Sequence, residues 1–298
     1  MRGDRTRVAV GFHGGELAVQ ARAGVAERAG QLAAMAGQGR LRPATAEFLA
    51  AARLAVLTAR DSAGRLWISP LLGPAGFLRA VTPMTLHIDS RFPAADPLYG
   101  LPANQPAGLV VIDLAARRRF RINGVLTGVA ATGLTIDVEQ AYGNCPKYIQ
   151  PRRLHVAGGA STPGRTPVFA GDALRPQDRR LIERADTFFL GTTHPTAGGD
   201  GSHRGGSAGF VRVDQDRLCW ADYPGNNLFN SLGNLAVDST AALVFVDFSS
   251  GTTLQLSGTA AVTWRDEMSS DEHDTGRWVT FTPKRVVVTE VPGLYLES

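Results

Sequence analysis

From Arg53 onward the chain runs in short apolar stretches broken by glycine, proline and aspartate. LAVLTAR (54–60), RLWISPLLG (65–73), GFLRAVTP (76–83) and MTLHIDS (84–90) come in close order, and AGLVVIDLAA (107–116), RRFRINGVLTGVA (118–130) and LTIDVEQAY (134–142) follow a proline-rich loop. Runs of this length, rich in Val, Ile, Leu and Thr and bounded by turn formers, predict β-strands. Asp61–Gly64 reads as a hairpin connection, and Gly73-Pro74 and Pro83 as breaks. The same texture resumes after residue 185 with DTFFLGTTH, AGFVRVD, RLCWADY, AALVFVDF, TTLQLSGTAAVTW and the final RWVTFTPKRVVVTEVPGLYLES. Helix is predicted where Ala, Glu, Gln, Leu and Arg dominate: over 16–36, with Leu17, Val25, Leu32 and Met35 as a partial stripe, over 44–53, over 176–185 and over NSLGNLAVDS (230–239).

The two β-rich halves carry one pattern twice. AGLVVIDLAARRRFRINGVLTGVA lies against AALVFVDFSSGTTLQLSGTAAVTW, with Asp113 matching Asp247 at the turn and Gly124 matching Gly258 in the return strand. So long a period means duplicated domains rather than a solenoid. About six short strands per unit point to a small barrel, and two like barrels in one chain can pack as an internal pseudo-dimer. The expected organisation is an N-terminal helical cover at 1–45, a first unit at 46–150, a Gly/Pro/Ser-rich linker at 151–176 and a second unit at 177–298.

Composition narrows the function. The chain has 298 residues, 44% of them hydrophobic and 19% charged, enough for two domains with a sizeable core. A net charge of +4 is too small to imply nucleic acid. The densest basic cluster, Arg117, Arg118, Arg119 and Arg121, reads as a solvated strand end, with an anion contact as the alternative. No apolar run is long enough for a membrane span and the N-terminus lacks a signal-peptide core, so a cytoplasmic location without nucleic-acid or membrane partners is expected. Cys145 and Cys219 lack metal-ligand spacing, and the histidines form no metal motif, so no metal is expected. The P-loop, the Rossmann fingerprint and the GxSxG elbow are all absent.

The chemistry-bearing stretch is Gly201–Asn234. Ser202, His203, Arg204 and Gly205 form a Gly-rich turn, with Gly206 and Gly209 close behind. Gly225-Asn226-Asn227 can hold positive φ, and Asn230, Ser231 and Asn234 lie on the first turns of a helix. A guanidinium beside backbone and amide donors at a helix start suits an anion; two turns and an ordinary helix cap are the plainer reading. The first half has prolines where the helix would be, so one complete site is expected rather than two. Lys147 and Tyr148 can reach across the seam between units to a ligand held by the second. His194 and His203 are possible acids or ring contacts. His13, Glu16, Gln20 and Arg22 belong either to a pocket wall or to a surface helix. The four tryptophans read as core. No catalytic residue is assigned.

FHGGELAVQARAG, NCPKYIQ (144–150), SHRGGSAGFVRV (202–213), YPGNNLFNSLGNL (223–235) and the AALVFVD…LQLSGTA strand pair resemble the pyridoxamine 5′-phosphate oxidase-related family of FMN-binding split barrels, in particular its long bacterial flavin-nucleotide-binding members. The resemblance implies a mainly β fold: two tandem six-stranded Greek-key split barrels with an N-terminal helical segment. It implies FMN at the barrel–barrel interface, its phosphate near Arg204, Asn227, Ser231, Asn226 and Asn234, its ring near Lys147 and Tyr148. The Ser-Arg-Lys phosphate clamp of the vitamin B6 oxidases has no counterpart near 226–234, which turns the reading away from vitamin B6 oxidation. An FMN-dependent oxidoreductase acting on an unknown small substrate or reductant is the activity implied. A non-enzymatic flavin-binding or redox-sensing protein is the alternative, with FAD, F420 or haem as other cofactors. A monomer using its internal pseudo-dimer and a homodimer are both compatible with the pattern.

Overall fold

The computed structural model describes residues 11–36, 39–156, 167–265, 275–290 and 294–296. Three helices lead: α1 (Gly14–Arg22), α2 (Ala26–Ala36) and α3 (Pro43–Ala51). The first unit follows as β1 (Leu54–Arg60), β2 (Leu66–Leu72), β3 (Leu78–Thr82), β4 (Thr85–Ile88), β5 (Gln105–Asp113), β6 (Arg118–Ala130) and β7 (Gly133–Asn144). Strands β8 (Leu154–Val156) and β9 (Phe169–Gly171) and helix α4 (Pro176–Arg184) lead into the second unit. That unit comprises β10 (Thr187–His194), β11 (Gly198–Gly205), β12 (Val211–Asp214), β13 (Arg217–Ala221), α5 (Asn230–Leu235), β14 (Thr240–Asp247), β15 (Thr252–Trp264) and β16 (Arg277–Glu290). Strand β17 (Leu294–Leu296) pairs with β8.

The duplication is visible in the strand order. The first sheet runs β2-β1-β5-β6-β7-β4-β3 and the second β11-β10-β14-β15-β16-β13-β12, which is the same path. Consecutive strands β2 and β3 sit at opposite edges, yet only residues 73–77 join them. A flat sheet of seven strands would be about 29 Å across, while six peptide steps span at most about 22 Å. The sheet therefore has to curl until its edges approach, and residues 206–210 impose the same closure on the second. This is the split barrel implied by the resemblance, built twice, with seven strands in each path rather than about six. The matched glycines mark a bulge in each barrel. The register shifts at Asn123/Gly124 and at Ser257/Gly258. A Cβ there would lie 2.0 Å from the Asp137 carbonyl oxygen in one barrel and 2.1 Å from that of Thr282 in the other.

Each barrel has its own apolar core, around Leu57, Leu109, Ile122 and Ile136 in the first and around Phe188, Trp220, Phe245 and Phe281 in the second. A third core lies on the seam, where Val56, Ile68, Val110 and Ile112 meet Phe189, Val244 and Val246. Of the tryptophans, Trp67, Trp220 and Trp278 are buried and Trp264 is half-buried.

Three expectations change. The run 16–36 is two helices, broken at Gly24 (φ 67°). The buried face of α1 is Gly15, Glu16, Val19 and Gln20, and Leu17 is exposed. The Gly-rich stretch carrying His203 is the strand β11, not a turn. Glycine disfavours strands, but here it admits another backbone: a Cβ on Gly108 of β5 would lie 2.5 Å from the Asp200 carbonyl carbon. The two units thus touch main chain to main chain. The proposed linker contributes β9, which pairs with β16, and β8; residues 157–166 lie outside the described residues.

Candidate functional site

Strand β6 of the first unit places Arg119, Arg121 and Asn123 on one face, because side chains alternate along a strand. That face turns toward β11 of the second unit, which supplies Ser202, His203 and Arg204. The loop 222–229, α5 and residues 144–148 complete a cleft of two adjoining chambers. The first chamber is polar, with about 630 Å³ of empty space, and is lined by Arg119, Arg121, Arg204, Asn144, Asn226 and Asn227 among others. The second, about 470 Å³, is walled by Tyr148, Phe210, Trp220 and Tyr223, with Lys147 and Gly205 at its side. Arg119, Cys145, His203, Arg204 and Tyr223 border both.

Ten of the eleven residues singled out in the sequence line these chambers: Ser202, His203, Arg204, Asn226, Asn227, Asn230 and Ser231 the first, Lys147, Tyr148 and Gly205 the second. Asn234 stands behind the wall, where its Oδ1 lies 3.0 Å from His13 Nε2 and its Nδ2 donates to Thr192 Oγ1 at 3.0 Å. Helix α5 has only six residues, follows Phe229 in the left-handed region (φ 59°), and is buried throughout. Its side chains are committed to neighbours. Ser231 lies 2.8 Å from Asp200 Oδ2 and 3.0 Å from Ser202 Oγ; its single proton goes to the carboxylate, which can only accept. Asn230 Oδ1 accepts from Tyr142 (2.9 Å) and Arg121 (3.0 Å), and its Nδ2 donates to Glu16 Oε1 at 2.6 Å. Asn227 holds positive φ (61°), as its place in the turn predicted.

The segment 144–150 crosses the seam. The Tyr148 hydroxyl donates to the Pro224 carbonyl (3.1 Å), its ring packs on Tyr223 (centroids 5.2 Å apart), and Gln150 donates to the Gly206 carbonyl (3.3 Å). Gly205 is glycine because a Cβ there would lie 2.0 Å from the Tyr148 carbonyl oxygen.

The arginines of β6 were read as a solvated strand end, with an anion contact as the alternative, and the structure divides them between the two. Arg117 and Arg118 are exposed, as a solvated strand end would be, but Arg121 is buried and Arg119 half-buried. The i, i+2 spacing of Arg119, Arg121 and Asn123 was the available signal. Helix α1, read either as a pocket wall or as a surface helix, lines neither chamber and stands behind α5. It is not a surface helix; its buried face packs on α5, where a Cβ on Gly15 would lie 2.2 Å from the Gly233 carbonyl oxygen.

Charge in the cleft is unevenly matched. Arg121 pairs with Asp200 at 3.1 Å; burial works against its charge, but Asp200, Tyr142 and Glu16 together outweigh it, so its pKa is raised. Arg204 Nη1 binds Asp222 Oδ1 at 2.6 Å, and Arg277 takes the other oxygen at 3.0 Å. Arg119 has no carboxylate partner among the described residues; Nη1 instead meets His203 Nδ1 at 2.7 Å and the His203 carbonyl at 3.2 Å. Burial, then Arg121 and Arg204, lower its pKa to about 10. Buried Nε atoms of Arg119, Arg121 and Arg204 and Nδ2 of Asn144 meet no acceptor among the described residues. Such donors are normally satisfied in folded proteins. In a shared cleft, this set fits an anion with several acceptor oxygens.

Glu16 is buried behind Asn230. Burial raises its pKa to about 7 against the hydrogen bond from the His13 amide. His13 is lowered to about 4 by burial and by His194, whose ring lies 4.3 Å away. His203 is lowered well below its ordinary value by burial and then by Arg119 and Arg204.

No protein-family model matches the chain, and no curated protein matches it. Several solved structures do. HupZ from Group A Streptococcus is 11% identical over 41% of this chain and 98% of its own, with a TM-score of 0.32. A Clostridium acetobutylicum protein related to general stress protein 26, of the pyridoxinephosphate oxidase family, is 13% identical over 41% and 92%, with a TM-score of 0.29. The FAD binding protein from Mycobacterium smegmatis is 14% identical over 40% and 96%, with a TM-score of 0.27. At these scores the likenesses carry no weight for what this cleft binds.

Proposed function

We propose that this tandem split-barrel protein binds FMN in the seam cleft, phosphate in the first chamber and ring in the second, and acts as an oxidoreductase on a small substrate. The observation that carries the reading is Arg119: a half-buried arginine that, among the described residues, has no carboxylate partner and whose buried Nε meets no acceptor. An uncompensated buried cation costs several kcal/mol, and a phosphate dianion supplies the missing charge. Arg204 Nε and Asn144 Nδ2 offer further donors in the same chamber. Asp222 binds Arg204, and the Tyr148 and Tyr223 rings line the second chamber. When bound, the flavin supplies the hydride or electron transfer; the protein supplies binding, orientation and exclusion of water.

A haem reading is less well supported. An axial imidazole needs a free lone pair. At His203, Nδ1 accepts from Arg119, a group with donors only, so the neutral ring carries its proton on Nε2. At His194, Nδ1 accepts from the amides of Thr196 and Ala197 at 3.1 and 2.9 Å, which leaves the same tautomer.

The test is absorption of the purified protein after addition of FMN and desalting. Retained flavin bands, weakened at least about tenfold in affinity by Arg119→Ala, are expected from the loss of a charge-assisted contact. If the wild-type chain retains no flavin, the proposal fails. Flavin retained equally by Arg119→Ala keeps the cofactor and moves its phosphate elsewhere.

A further inference from the structure

His203 stands between the two chambers, and its role is set by its neighbour. Its ring is 5% exposed, packs edge-on to Phe189 at 5.5 Å, and lines both chambers. Arg119 Nη1 approaches Nδ1 at 2.7 Å. A guanidinium cannot accept a hydrogen bond, so Nδ1 must. The neutral imidazole then holds its proton on Nε2, and that buried atom meets no acceptor among the described residues. The Cε1 end of the ring lies on the Gly205 side, 3.0 Å from where a Cβ on that residue would sit, and Gly205 lines the aromatic chamber.

We propose that His203 is a ligand-binding residue of the second chamber, a permanent hydrogen-bond donor through Nε2–H that selects a flat group carrying an acceptor atom at its edge. The inference rests on the FMN reading, in which that group is the flavin ring. It adds a division of labour: Arg119 faces the phosphate and, through the same guanidinium, prevents His203 from becoming an acceptor. Burial, and then the guanidinium groups of Arg119, Arg204 and Arg152, keep the ring neutral across the physiological range, so the donor does not switch with pH. A metal-ligating or general-base role through Nε2 would need the opposite tautomer.

The experiment pairs two measurements on the full chain. The first is the ¹⁵N and ¹H spectrum of the histidine side chains, with and without FMN. An Nε2–H tautomer in the free protein, unchanged between pH 6 and 8 and with its proton shifted downfield on FMN addition, is expected. The second is affinity for FMN and for riboflavin, which lacks the phosphate, in His203→Gln and His203→Leu. Gln keeps a donor near the Nε2 position and should bind within a few-fold of wild type. Leu should lose on the order of tenfold for both ligands, the loss expected for one buried hydrogen bond. An Nδ1–H tautomer, or Leu binding both flavins as wild type does, overturns the inference while leaving FMN binding intact. A loss for FMN alone places the donor at the phosphate and overturns the second-chamber assignment. If wild type binds no flavin, the FMN reading fails and this inference falls with it.

Discussion

Arg119 and Arg204 bring the same charge into the same cleft, yet only Arg204 arrives with its own counter-ion. Asp222 holds Arg204 in place, which leaves Arg119 as the group with most to gain from an anion. The polar residues of α5, like Arg204, are committed to protein partners. Ser231→Ala should cost about 1–2 kcal/mol of stability, because Asp200 loses a buried donor. It should leave flavin affinity within a few-fold of wild type, since its proton does not face the cleft; a urea melt beside an FMN titration separates the two effects. Asp96 offers a residue-scale test of the first unit. It is buried, accepts from Ser69 Oγ (2.8 Å) and Gln255 Nε2 (3.1 Å), and burial raises its pKa to about 6. With a folded pKa above the unfolded value, the folded state binds more protons than the unfolded chain between pH ~4 and ~6. Stability is therefore highest below that window and falls as pH rises through it, by on the order of 3 kcal/mol for two units. Asp96→Asn should remove this part of the fall in urea midpoints measured from pH 4 to 7.5. The part that persists toward pH 7 belongs to Glu16, whose pKa is raised to about 7 for the same reason.

At the scale of elements, glycine decides which strands and helices can touch. Strand β11 has four glycines among its eight residues, which would weaken an isolated strand, but they let β5 and β11 approach main chain to main chain. Gly108→Ala should lower the melting temperature by several degrees, since the new methyl collides with backbone rather than with a movable side chain. It should also loosen the cleft, because Asp200, which the methyl would strike, pairs with Arg121. Helix α1 seats on α5 by the same device at Gly15 and Gly233. Gly15→Ala is expected to detach α1 and to make the Arg22–Ala26 junction more sensitive to trypsin, while most strand amides keep their hydrogen-exchange protection.

For the whole molecule, the two barrels share one strand path but not one chemistry. Counting from the matched glycines, Thr253 and Gln255 of β15 stand where β6 has Arg119 and Arg121. Thr253, Gln255, Ser69, Asp96 and Thr289 bond to one another in the core of the pseudo-symmetric position. That position holds neutral donors already paired, whereas the other holds cations with open donors. A flavin titration of the full chain should therefore saturate at one equivalent; two equivalents would contradict the asymmetry.

The duplication, the barrel class and the crowding of polar residues in 201–234 were legible in the sequence, because strand periodicity, turn formers and repetition are local properties of the chain. So was the reach of Lys147 and Tyr148 toward the second unit. Three matters were decided only by tertiary structure. The Gly-rich stretch is a strand because a neighbouring backbone occupies the space its side chains would fill. Asn230, Ser231 and Asn234 support the cleft wall because Glu16, Asp200 and His13, distant in sequence, consume their hydrogen bonds. Arg119 and Arg121 enter the cleft because the pseudo-dimer turns one face of β6 away from solvent and against β11. Local pattern fixes which face of a strand a charge occupies; what lies opposite that face depends on how the two barrels pack.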